Sequence, residues 1–309
     1  MSKKDYRVRN WKDYNKSLIN RGSITFWINE KDIRAWYEQQ SSTKNKGRPT
    51  KYSDIAITTI LMFKQIYRLT LRSSQGFIQS LFKLMKLNLD VPSYTRICRR
   101  QQTVSLPKLP ILSGSIHLVV DSSGLKIFGE GEWKVRQHGW SKHRMWRKLH
   151  IGMDEKSQLI VTALMTENNC SDHKKLPELL NQYVGNFYQI SADGAYDSHD
   201  CFDDITKRGA VATIPPQSNP KHKPKTENKI IRARDKVVWE IQQKGKKEWK
   251  QQSGYHRRSL VENGFYRYKQ LLGDKLTSRK LENQQVEALL RCHALNRITL
   301  SGMPISMPL

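Results

Sequence analysis

The chain has 309 residues, with 54 Lys and Arg against 28 Asp and Glu, a formal net charge of +26. That length holds one large domain or two ordinary ones, and so large a positive surplus calls for a polyanionic partner, nucleic acid first and an anionic membrane surface second. No apolar run approaches the length of about 18 residues a membrane span needs, the opening MSKKDYRVRN has no hydrophobic signal core, and Cys98, Cys170, Cys201 and Cys292 form neither a CxxC pair nor a disulfide framework.

These features lead us to expect a soluble, cytoplasmic, nucleoid-associated protein without a membrane partner. Cys170 with His173, and His199 with Cys201, lack the matching second half that a zinc site requires. The first fifty residues are polar, anchored by Trp11, Phe26, Trp27, Trp36 and Tyr37, and Asn29 can cap a short helix running through Ile33 and Trp36. Residues 41–50, SSTKNKGRPT, read as a loop, either a flexible charged linker or an arm of the kind that enters a minor groove. Ser53 or Asp54, Thr70 and Ser93 can then cap three helices in succession, the last carrying Arg96, Arg99 and Arg100. Three short helices ending in a basic one suit a helix-turn-helix type of DNA reader, although an ordinary three-helix packing module has the same pattern. We therefore expect an all-α DNA-binding domain over residues 1–110.

Pro107 and Pro110 mark the boundary, and residues 111–309 change character. Ile116 to Asp121 reads as a buried strand ending in an acid. From Trp133 to His150 come Lys134, Arg136, Lys142, Arg144, Arg147 and Lys148 with no acid, interleaved with Trp133, Trp140 and Trp146. Cations for phosphates and flat rings for unpaired bases suit contact with DNA, and the rings suit hairpin packing equally. Leu149–Met153 and Leu159–Met165 read as two strands, Asp172 as the cap of a helix through Val184, and Phe187–Ala192 as a strand followed by Asp193. A helix at 199–207, a strand at 211–214 and a basic helical stretch at about 227–252 follow. Of the two acids in DGAYD, Asp193 stands at the strand end and Asp197 beyond the turn, which favours Asp193 as the functional one.

Tyr255 to Gly273 has no Pro and ends on Gly, so it reads as one helix. At about 100° per residue, with Tyr255 at zero, Arg258 falls near −60°, Glu262 near −20° and Lys269 near −40°. Leu260, Val261, Phe265, Tyr268, Leu271 and Leu272 share another, broader arc, the core face. One acid thus lies on a basic stripe beside the core. Asn263 and Gly264 are weak helix formers that suggest local softness there.

The spacing Tyr255-(2)-Arg258-(3)-Glu262-(6)-Lys269 closely resembles the signature of the DDE transposases of bacterial insertion sequences, in the group called insertion sequence 5. GRPTKYSD, GEGEWKVRQHGWSKHRMWRKLH, ADGAYDS and GYHRRSLVENGFYRYK resemble its 903-type subgroup. The resemblance implies a ribonuclease-H-like mixed-sheet α/β catalytic domain, with Asp121, Asp193 and Glu262 as catalytic and metal-binding acids. It implies two Mg²⁺ ions, with Mn²⁺ able to substitute, and DNA close to Tyr255, Arg258 and Lys269. The implied activity is cleavage at terminal inverted repeats and joining of 3′-hydroxyl ends to target DNA by a homodimer. The alternatives are a nuclease of the same fold that only hydrolyses DNA, or a DNA-binding protein without catalysis.

Overall fold

The computed structural model describes residues 6–39, 50–127, 146–217 and 232–308. The chain divides into two compact units, Met1–Lys108 with Ser278–Leu309, and Leu109–Thr277.

The first unit opens with β1 (Tyr6–Val8), α1 (Trp11–Asn20), α2 (Ile24–Trp27) and α3 (Glu30–Arg34). Asn29 caps α3 in a reciprocal box with Asp32. α3 stops before Trp36, which is fully buried and donates its indole N–H to the Asp90 carbonyl at 2.8 Å. Then come α4 (Asp54–Ile66), α5 (Leu71–Leu84) and α6 (Tyr94–Arg100). Ser53 and Thr70 cap α4 and α5 through the N–H groups of Ala56 and Ser73. Ser93 occupies the N-cap position of α6, but its hydroxyl pairs with Thr95 instead.

The second unit is built on β2 (Ser115–Ile127), β3 (Trp146–Asp154), β4 (Ile160–Glu167), α7 (Asp172–Asn181), β5 (Asn186–Ser191), α8 (His199–Lys207) and β6 (Val211–Thr213). α9 (Ala233–Lys244), α10 (Lys246–Gln252), α11 (Ser259–Leu272) and β7 (Lys275–Leu276) complete it. The sheet order is β4-β3-β2-β5-β6, with β7 beside the far end of β2. β2, β3 and β4 are antiparallel, whereas β5 and β6 run parallel to β2. Parallel neighbours need a crossover, and α7 and α8 supply it, packing Leu176, Leu180, Phe202 and Ile205 against Leu118, Val120 and Ile190. This mixed sheet and element order match the ribonuclease-H-like arrangement expected.

The chain then returns to the first unit as α12 (Leu281–Leu300) and β8 (Ser306–Pro308), which pairs antiparallel with β1. α12 packs along α4. At that contact Arg291 bonds Glu287 at 2.7 Å and Gln65 at 3.0 Å, all three buried. The sequence reading divides the chain at residue 110, whereas residues 278–308 group with the first unit, where the apolar and paired polar positions of α12 are buried. That unit also contains a two-stranded β ribbon, so it is not purely helical. Among the described residues no helix is long and apolar enough to cross a membrane.

Candidate active site

Asp121 lies inside β2, not at its tip. The antiparallel ladder to β3 continues past it, from Leu118↔Asp154 to Lys126↔Trp146. On the other side, parallel pairing with β5 ends at Val119↔Ser191. Asp121 and Asp193 each stand two residues beyond that last pair, and the charge of Asp193 acts on the Asp121 carboxyl. Asp121 thus stands where β2 loses its parallel neighbour, and the two aspartates share that edge. Asp193 caps a 3₁₀ turn at Gly194–Tyr196, accepting the Ala195 N–H at 3.0 Å.

Glu262 comes from the other side of the chain's path. The expected single helix from Tyr255 to Gly273 is instead a 3₁₀ turn, Tyr255–Arg258, followed by α11. A left-handed Gly254 (φ 67°) starts the turn, and Glu262 falls in the first turn of α11, where the helix dipole favours an acid. Val261, Phe265, Tyr268 and Leu272 are buried as expected, while Leu260 and Leu271 are only half-buried. Gly264 is not a soft spot. A Cβ there would meet Met153 Sδ at 3.1 Å and Ile151 Cδ1 at 3.9 Å, so the missing side chain lets α11 lie close to β3.

Arg258 joins the two segments. Its Nη1 donates to Asp121 Oδ2 at 3.2 Å, and its Nη2 donates to Glu262 Oε1. Lys269 donates to Ser123 Oγ at 2.7 Å, two residues along from Asp121. The Tyr255 ring lies 5.9 Å from the Arg258 guanidinium and 5.2 Å from Lys250 Nζ. The Asp121 side chain is 17% exposed and that of Glu262 54%. Burial drives the Asp121 carboxyl up to about 6, and the charges of Asp193 and Glu262 push the same way. The Ser122 N–H and Arg258 oppose them without winning. Asp121 therefore sits in a place that favours a neutralising cation, and Arg258 supplies that charge here. Among the described residues no three His, Cys, Asp or Glu side chains converge as a ready-made metal cage.

Two neighbours escaped the sequence reading. Asp172 does not cap α7; Ser171 holds that position, and Asp172 accepts Ser122 Oγ at 3.0 Å and Lys148 Nζ at 2.9 Å. Tyr196 is fully buried, and its hydroxyl has no partner among the described residues. Burial first, then the carboxylates of Asp172, Asp121 and Asp193, pushes its phenol well up. Asp197, the rival acid, is spent elsewhere: its side chain is 2% exposed and gripped from two sides by Arg234, at 2.6 and 2.8 Å.

The residues expected to meet DNA divide into three groups. Arg96 and Arg99 are exposed on α6, Arg96 lying 5.4 Å over the Tyr52 ring. Arg100 is engaged internally, by Asp54 at 2.5 Å and the Tyr52 carbonyl at 2.9 Å. Arg147 faces Glu167 at 3.8 Å. Lys134, Arg136, Trp140 and Arg144, the 41–49 loop and the start of the basic 227–252 stretch lie outside the described residues. The remainder of that stretch is α9 and α10, broken at Gly245 (φ 83°).

A family profile described as Transposase DDE domain matches residues 112–297, the segment that carries all three acids. The chain belongs to the DDE transposases. A second profile with the same description matches residues 19–130. Among solved structures, the chain is similar to the piggyBac transposase synaptic complex with hairpin DNA, at 10% identity and TM-score 0.38, covering 97% of this chain and 78% of that one. It is also similar to the Drosophila P element transposase strand transfer complex, at 14% identity and TM-score 0.28, covering 65% of this chain and 43% of that one. At those identities and scores neither bears on the chemistry of this transposase. Its function as a DNA transposase rests on the family match, with which the mixed sheet agrees.

Proposed function

We propose that Asp121, Asp193 and Glu262 are the catalytic acids of this transposase, which cuts DNA at the terminal inverted repeats of an insertion sequence of the insertion sequence 5 group and joins the freed 3′-hydroxyl ends to target DNA. The observation that carries the reading is the meeting of distant segments: Asp121 and Glu262 share one guanidinium, and the field of Asp193 reaches the same carboxyl. Carboxylate oxygens are the hard donors that Mg²⁺ takes, with Mn²⁺ able to substitute, and such ions supply an activated water and a neutralised phosphate when bound. The protein's own share is positioning. β2 and the turn after β5 carry two of the acids, and α11 carries the third, linked to Asp121 through Arg258. Lys269 and Tyr255 flank the acids as contacts for a phosphate and a ring face. Arg96 and Arg99 on α6 suit recognition of the repeat, and Lys134, Arg136, Trp140, Arg144 and Arg147 suit binding near the cut end. Arg100 serves that role only by leaving Asp54. The working form is a homodimer on paired ends, associated with the nucleoid.

Glu262→Gln and Asp121→Asn test the assignment. Each keeps the side chain's size and removes its charge. DNA binding should survive, while cleavage and joining both fall by more than the roughly 10–100-fold typical of outer-shell changes. Near-normal cleavage by either variant at saturating DNA sinks the assignment. A wild-type protein that cuts but never joins ends is a hydrolytic nuclease instead.

A further inference from the structure

Arg258 sits across the mouth of the acid group in a way that DNA contact alone does not explain. Its side chain is 16% exposed, and one arm of the guanidinium goes to Asp121 while the other goes to Glu262. The oxygens it uses, Asp121 Oδ2 and Glu262 Oε1, are donors that a divalent ion would take at about 2.0–2.1 Å. A guanidinium and an ion cannot hold the same oxygens, and their charges repel. For the ion to enter, Arg258 has to swing away, and a buried guanidinium leaves only for another anion.

The surroundings indicate which anion. Lys250 and Arg258 both lie against the Tyr255 ring, and Lys269 reaches Ser123, two residues along from Asp121. Arg matches phosphate bidentately as well as it matches carboxylate. Resting on the assignment of Asp121 and Glu262 as metal ligands, we propose that Arg258 is a positioning residue that couples DNA to metal: without DNA it bridges the two acids and holds the ion off, and the DNA backbone draws it away and frees them. Coupling is reciprocal, so bound metal also tightens DNA binding. The hold is uneven. The Glu262 arm is half-exposed and weak, whereas the Asp121 arm is largely buried, so release at Asp121 is the step that admits the ion.

The test is Mn²⁺ affinity of the full chain, followed by electron paramagnetic resonance of the free ion, with and without a short mixed-sequence duplex whose own Mn²⁺ uptake is subtracted. Wild type should bind Mn²⁺ weakly alone and more tightly with duplex, by a factor in the range of about 5–150 usual for coupled sites. Arg258→Ala and the size-conserving Arg258→Gln should bind tightly without duplex and gain little from it. The coupling is overturned if both variants bind Mn²⁺ no better than wild type without duplex, or if duplex leaves the wild-type affinity unchanged. Glu262→Gln separates the two layers. If it loses Mn²⁺ in every condition, the ligand assignment stands whatever Arg258 does. If it binds as wild type does, the ions lie elsewhere and the coupling falls with the assignment.

Discussion

His150 is a buried base beside the site whose protonation the fold resists. Its side chain is 1% exposed, Nε2 pairs with Thr166 Oγ1 at 2.9 Å, and Nδ1 has no hydrogen-bond partner among the described residues. Burial lowers its pKa to about 4; Lys148 and Lys175 act the same way, and Asp172 and Glu178 pull back. The Asp172 oxygen at 3.7 Å is thus no ion-pair partner at neutral pH. Below pH 6.5 the unfolded chain takes up a proton that the folded one refuses until about pH 4, so stability is lost as pH falls through that window. The full loss is roughly 3 kcal/mol at about 1.4 kcal/mol per unit. Denaturation of wild type and His150→Gln at steps from pH 7 to pH 4 should show the variant's curve flatter by that amount. A constant offset between the two curves rules out a neutral buried His150. Asp193 and Asp197 show what single residues reveal in a sequence. The strand before Asp193 points to it as the better placed acid, whereas Arg234, which engages Asp197, is 37 positions along the chain and no local pattern points to it. Removing one partner of a buried pair costs about 3–5 kcal/mol, so Arg234→Ala should loosen α9, read as faster amide exchange there.

At the scale of elements, the strands and helices of the second unit were legible because their periods were clean: α8 spans 199–207 as read, and β3, β4 and β5 differ from expectation by a few residues at the ends. Three readings failed. β2 runs on past Asp121 because β3 pairs with it throughout. A partner strand's length cannot be seen in the strand it pairs with. The turn before α11 is 3₁₀, so the wheel placed Tyr255 and Arg258 by an angle that turn does not follow. Gly264 was read by propensity alone, whereas its role is set by Met153 on β3. Gly264→Leu should therefore push α11 off the sheet and move Glu262 from Asp121, lowering cleavage more than it lowers thermal stability. Adding Met153→Ala makes room and should restore part of the cleavage rate. If the double variant is no better than the single one, α11 is not seated by this contact.

For the whole molecule, the sequence conveyed charge and the order of parts but not which parts share a core. A helix such as α12 shows which of its positions are apolar; it does not show what covers them. Residues 278–308 follow the catalytic segment in the chain yet fold with residues 6–108. The fully buried Glu287 accepts from Arg291 at 2.7 Å and from the Ser278 N–H at 2.9 Å, while Arg291 reaches Gln65 on α4. A fragment ending at residue 110 leaves Lys64 and Gln65, both buried in the intact chain, without that cover, along with the apolar face of α4. Unpartnered buried polar groups and exposed apolar surface both oppose folding. The fragment 1–110 should therefore be open, with broad amide resonances and rapid proteolysis. Adding residues 278–309 in trans should fold it, and Glu287→Ala within the added peptide should weaken that rescue. Repeat binding should follow folding, present in the reconstituted pair and absent from 1–110 alone. Its affinity should fall by roughly 10³–10⁵ between 50 and 200 mM salt if six to ten phosphates are neutralised. A fragment 1–110 that gives sharp resonances and binds the repeat unaided shows that α12 is dispensable, and the helical unit is then complete without the chain's return.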